Sequence, residues 1–158
     1  MRWLCGTAMV LALACSSLAA AQTVNISGLS DLTLANVDPL QDHARAQGIC
    51  VYSDAPGNGY MIAASGSGSG GGFVLDGGGS NQLAYSVEWS DRPGATSGTA
   101  LSPGLALAFQ SSGATEETCA TGGPVSASLI LRLSRLDLSA ARASVTYSGT
   151  LSLTISPQ

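Results

Sequence analysis

His43 is the only histidine of the chain, with Asp42 beside it and Asp38 five residues earlier. A carboxylate-oriented imidazole is one half of an activated nucleophile; the other half is a serine or cysteine held on a sharp turn. The nearest approach to such a turn is the Gly/Ser run over residues 64–72, which is low in complexity and has no helix-forming stretch behind it. His43 therefore reads as a solvated loop histidine. One histidine, with cysteines better suited to pairing, supplies no zinc set either. Glu88 sits on the polar side of an alternating stretch, and Glu116 and Glu117 stand in a polar loop, so no two carboxylates are spaced for acid–base work. Asp76, followed by three glycines, offers too few oxygens for a calcium loop. Tyr85 and Trp89 alternate with Ser86 and Glu88, the spacing of core-facing aromatics on a strand. These residues indicate no catalytic centre, no metal and no cofactor: a non-enzymatic protein.

What the cysteines do depends on the compartment. Met1 and Arg2 give a short positive start, and residues 3–14 form an apolar run too short to span a bilayer comfortably. Residues 16–21 then end in an Ala-x-Ala pattern before Gln22. Residues 1–21 read as a secretion signal, which leaves 158 − 21 = 137 residues as one domain, 22–158. A lipoprotein anchor on Cys15 is the rival reading, although Leu13 and Ala14 before it match that pattern poorly. Cys5 and Cys15 leave with the signal; Cys50 and Cys119 remain and, in an oxidising compartment, pair with each other. Closing a loop of 119 − 50 = 69 residues is worth about 4 kcal/mol of chain entropy. Five arginines outside the signal stand against ten acids, with no lysine. This sparsely charged, mildly acidic surface argues against nucleic acid or anionic membrane as a partner. No second long apolar run offers a stable membrane insertion.

The elements that position these residues read as strands. Short extended runs fall within residues 23–37, broken at Gly28, and further strands at 48–53, 60–65, 73–75 and 82–90. Leu105, Leu107 and Phe109 mark another, and Val125 to Leu133 alternates again. Residues 39–47 are polar and suit a loop or helical turn; residues 66–72 suit a flexible loop. Residues 111–124 are a polar loop carrying Cys119, and 135–142 a connection with room for a helical turn. The closing stretch is the most regular. Val145, Tyr147, Gly149, Leu151, Leu153 and Ile155 alternate with six hydroxylated residues, and Pro157 stops the ladder. Short alternating strands joined by Gly/Pro-rich turns, with no long helix, indicate an antiparallel all-β sandwich or barrel.

Several segments taken in order resemble one family. These are Cys50-Val-Tyr-Ser53, Tyr60, Phe73-Val-Leu75, Leu83 through Trp89, Cys119, and the closing Tyr147-Ser-Gly-Thr-Leu-Ser-Leu-Thr-Ile-Ser-Pro157. Together they resemble the spore coat protein U domain of archaic chaperone–usher pilus subunits, over most of residues 48–157. The resemblance implies an immunoglobulin-like sandwich lacking its final strand, completed by a periplasmic chaperone and then by another pilus subunit through donor-strand complementation. It implies a usher as a further partner, passage through the periplasm to the cell surface or fimbrium, and a role in adhesion or biofilm formation. Val145, Tyr147, Leu151, Leu153 and Ile155 become candidates for the wall of the strand-acceptor groove. Residues 22–49 carry no cysteine, so any disulfide would have to be Cys50–Cys119. Residues 23–37 are either the first strand of the fold or a donor strand; if the former, the subunit would suit a tip or terminating position. Two alternatives compete: a self-contained secreted sandwich closed by its own residues 23–37, and a small outer-membrane barrel.

Overall fold

The computed structural model describes residues 21–117, 119 and 125–158. The expected export segment 1–21, with Cys5 and the alternative anchor Cys15, therefore lies outside the described residues except for Ala21. In chain order the strands are β1 (Val24–Ser27), β2 (His43–Ser53), β3 (Gly59–Gly66), β4 (Val74–Asp76), β5 (Gln82–Ala84) and β6 (Ser86–Ser90). β7 (Thr99–Ala100), β8 (Ala106–Ser111) and β9 (Ala127–Leu133) follow, then the short helix α1 (Arg135–Ala140) and β10 (Leu151–Pro157). None of the described helices is long and apolar enough to cross a membrane.

The strands form an antiparallel sandwich. A five-stranded sheet runs β1-β2-β9-β6-β7, a three-stranded sheet runs β10-β3-β8, and β4 and β5 make a separate hairpin. Open sheet edges replace the closed barrel of the third sequence reading. Period-two alternation builds the core between the sheets: Ile49 and Val51 of β2, Tyr60, Ile62 and Ala64 of β3, Val87 and Trp89 of β6, and Ala127 and Leu129 of β9 are all buried. The Trp89 indole N–H donates to the Tyr60 hydroxyl at 3.1 Å, and the two rings meet edge to face. The largest core side chain thus has its one polar atom satisfied. A second cluster, Leu83, Leu133 and Leu138, seats α1 against β5 and the end of β9. Ser134 caps that helix by accepting from the Asp137 N–H at 3.1 Å.

Partner strands override local sequence preference in several places. The polar stretch 43–47, expected as loop, belongs to β2, because β9 supplies a ladder from His43↔Leu133 to Ile49↔Ala127. Beyond Ile49 the other edge of β2 takes over, with Cys50 to Ser53 paired to β1. On the side that β9 has left, Ser126 serves as a substitute strand: its hydroxyl accepts from the Val51 N–H and donates to the Val51 carbonyl, both at 2.8 Å. The run 82–90 is two strands, since at Tyr85 the chain passes from the hairpin into the five-stranded sheet. The Gly/Ser segment 66–72 is a compact turn closed by three backbone hydrogen bonds, Gly68 N–H to Gly72 O, Gly71 N–H to Gly68 O and Gly72 N–H to Ser69 O. β8 bulges opposite Met61, putting Phe109 at φ 60° and leaving the residue 88% exposed, while Leu107 packs on the core.

Candidate functional site

The open side of the sandwich is where β1 and β10 lie. β1 ends the five-stranded sheet and β10 ends the three-stranded one. β10 is paired along one edge only, with β3, from Leu151↔Gly66 to Pro157↔Tyr60. Among the described residues no strand pairs with its other edge. β1 does not fill that place: it belongs to the other sheet, where its four residues pair only with Ser53 through Cys50 of β2. The link at its start is reciprocal: the Thr23 N–H donates to the Asp54 carboxylate at 2.6 Å, and the Asp54 N–H donates to the Thr23 carbonyl at 3.1 Å.

Between these two strands runs an apolar strip. Val24 and Ile26 of β1 and Leu151, Leu153 and Ile155 of β10 all pack on the core, and all five stay only half-buried. Their neighbours one strand in, Val51 and Ile62, are completely buried. Covering the strip would recover at most about 1 kcal/mol per side chain, the still-exposed fraction of the about 1.5–3 kcal/mol that full burial of a large aliphatic residue is worth. Ser152 and Thr154 point the other way, into solvent. An unpaired strand edge beside an incompletely covered apolar strip is the physical requirement for β-augmentation by an extended segment.

The residues singled out from the sequence divide into two groups. Leu151, Leu153 and Ile155 lie together on β10. Val145 and Tyr147 precede that strand, on a strap laid over the β4–β5 hairpin by reciprocal backbone bonds between Asp76 and Ser148. Tyr147 joins the second cluster and accepts from the Arg142 N–H at 2.8 Å; Val145 and Tyr147 both press on Gly77. Val24 and Ile26, the opposite wall, were visible in the sequence only as alternation with Asn25 and Ser27. Nothing local announces that they face β10.

Cys50 and Cys119 form a disulfide with their Cα atoms 6.2 Å apart. Cys50 lies opposite Ser27 in the β1–β2 ladder, and the Asn25 amide donates to the Glu117 carbonyl at 3.3 Å, so the bonded loop also braces β1. His43 is the first residue of β2 and half-buried rather than a solvated loop residue. Its Nε2 donates to the Asp38 carbonyl at 2.8 Å, while Asp42 accepts from the Arg135 N–H instead of orienting the imidazole. Glu88 is no idle surface acid. It grips Arg132 through Nε at 2.6 Å and Nη2 at 3.3 Å, and accepts from the Gly98 N–H at 3.0 Å. The Arg132 hydrogen bond, against an opposing effect of burial, holds the carboxyl below the usual range.

No family model matches the chain, and no curated protein sequence does. Among solved structures, the chain is similar to one from a chaperone–tip adhesin complex of CFA/I fimbriae biogenesis, with 18% identity and a TM-score of 0.51 over 85% of this chain. The chain corresponds to 42% of that neighbour's length. At this identity the likeness concerns the fold: the two share an all-β architecture.

Proposed function

We propose that the chain is a non-enzymatic structural subunit of a chaperone–usher type pilus, assembled by donor-strand complementation, in which the β1–β10 strip accepts the incoming strand. One observation carries the reading: among the described residues β10 has an edge without a strand partner, beside five half-buried aliphatic side chains. The sequence resemblance to the spore coat protein U domain and a fold shared with a chain of a fimbrial chaperone–adhesin complex support it. On this reading residues 1–21 direct export. A periplasmic chaperone covers the strip in transit, a usher passes the subunit outward, and a neighbouring subunit replaces the chaperone at the cell surface in service of adhesion or biofilm formation. Val24 to Ser27 are engaged within the chain and are not themselves a free donor.

The self-contained alternative requires residues 23–37 to close the sheet at β10. Their only strand pairs with β2, on the opposite sheet, and leaves β10 open. A short extended peptide with Val, Ile or Leu at alternate positions tests the proposal by titration. The full chain should form a one-to-one complex, and Leu153→Glu should prevent it while far-UV circular dichroism stays unchanged. Absence of any complex, or equal binding by the variant, would contradict the assignment of the strip.

A further inference from the structure

A second concave feature lies far from β10. On the outer face of the five-stranded sheet Ala44 of β2, Arg132 of β9 and Ser86 of β6 stand side by side. Two small side chains flank a long one, and α1 follows directly at the end of β9, leaving a cleft of about 320 Å³. That volume is at the lower end of small-ligand sites. Along β2, Ala44 is seven residues from Val51, roughly 23 Å at the rise of an extended strand. The cleft is therefore separate from the strip, and nothing said of it rests on the pilus reading.

The charged groups and the imidazole share one property: each is anchored to the fold and has an atom left over. Arg132 commits Nε and Nη2 to Glu88, and Nη2 also to the Thr96 carbonyl at 2.9 Å, which leaves Nη1. His43 commits Nε2 to the Asp38 carbonyl, which leaves Nδ1. Asp42 gives one oxygen to the Arg135 N–H at 2.7 Å, and Asp137 gives one to the Ser134 hydroxyl at 2.5 Å. The second oxygen of each carboxylate makes no hydrogen bond to another described residue. Ser86 adds a hydroxyl group to the lining. Pinned groups of this kind lose little freedom on binding.

The geometry points to a site for a neutral saccharide. Acceptors and hydroxyls outnumber the single cationic donor, so a ligand must bring several O–H groups and at least one oxygen for Arg132. The two carboxylates repel an anion. A simple ammonium would satisfy them but would offer no acceptor to Arg132 Nη1. A hexose or N-acetylhexosamine meets all of these conditions.

Saturation-transfer NMR on the full chain, disulfide closed, against D-glucose, D-galactose, D-mannose, N-acetyl-D-glucosamine and butylamine tests this. At least one sugar should receive saturation and butylamine should not. Ala44→Trp, an exposed position filled by a large side chain, should bring the signal to baseline. Ser86→Ala, which removes only a hydroxyl, should weaken binding by about 3- to 10-fold, the worth of one hydrogen bond. Circular dichroism confirms that both variants fold. No transfer to any sugar, an unchanged signal in Ala44→Trp, or preference for butylamine would overturn the assignment.

Discussion

Glu88 shows how far a single residue's role depends on what folds around it. Its place on the polar side of a strand was legible, but nothing in the sequence pairs it with Arg132, forty-four residues on, because that contact follows from β6 lying beside β9. With the carboxyl held below its ordinary 4.5, the unfolded chain takes up the proton first as pH falls. Stability from the pair is therefore complete above about pH 4.5 and drains away below it. Thermal midpoints measured between about pH 5 and pH 3 should fall more steeply for the natural chain than for Glu88→Gln, by well under 1 kcal/mol because the pair is partly exposed. Equal slopes would remove this role. Cys50 and Cys119, by contrast, were legible by counting alone. Cys50→Ser with Cys119→Ser should lower unfolding free energy by up to about 4 kcal/mol in a denaturant titration, and by less if the open chain keeps residual structure. An unchanged midpoint would mean that the bond closes nothing the sheets do not already hold. His43 was misread because its strand is created by β9, not by its own polar neighbours.

At the scale of elements, alternation located most strands but could not set their ends. Residues 145–156 alternate without a break, yet only Leu151 to Pro157 form a strand, since β3 offers partners only from Gly66 back to Tyr60. The six residues before it answer to the hairpin, through Asp76 and Ser148. Gly66 makes that boundary physical. A Cβ built there would collide with the Gly72 carbonyl, a backbone group that cannot swing aside. Gly66→Ala should therefore destabilise the fold by about 1–3 kcal/mol, in the range of overpacked sites. Gly113→Ala, with no atom within 4 Å of the added carbon, should be close to neutral in the same denaturant titration. Similar losses in both variants would show that the tight turn is not what sets the start of β10. Composition alone had made this glycine-rich segment look like a flexible loop.

For the whole molecule, the all-β class followed from short alternating strands, whereas the pairing of β1 with β2 and of β10 with β3 did not. Both sheets end on the same side, and that coincidence leaves Val24, Ile26, Leu151, Leu153 and Ile155 half-covered. No pattern within a strand can report such a feature, because it is a property of two edges brought together from opposite ends of the chain. If the strip awaits a strand from another protein, the chain alone is incomplete and its stability depends on the partner's concentration. Chemical unfolding of the purified full chain, with and without the alternating apolar peptide, measures this most directly. The account predicts a low midpoint and self-association for the chain alone. It predicts a monomeric complex, and a midpoint that rises with peptide concentration, once the strip is filled. A soluble monomer that unfolds in two states at a midpoint indifferent to the peptide would contradict it.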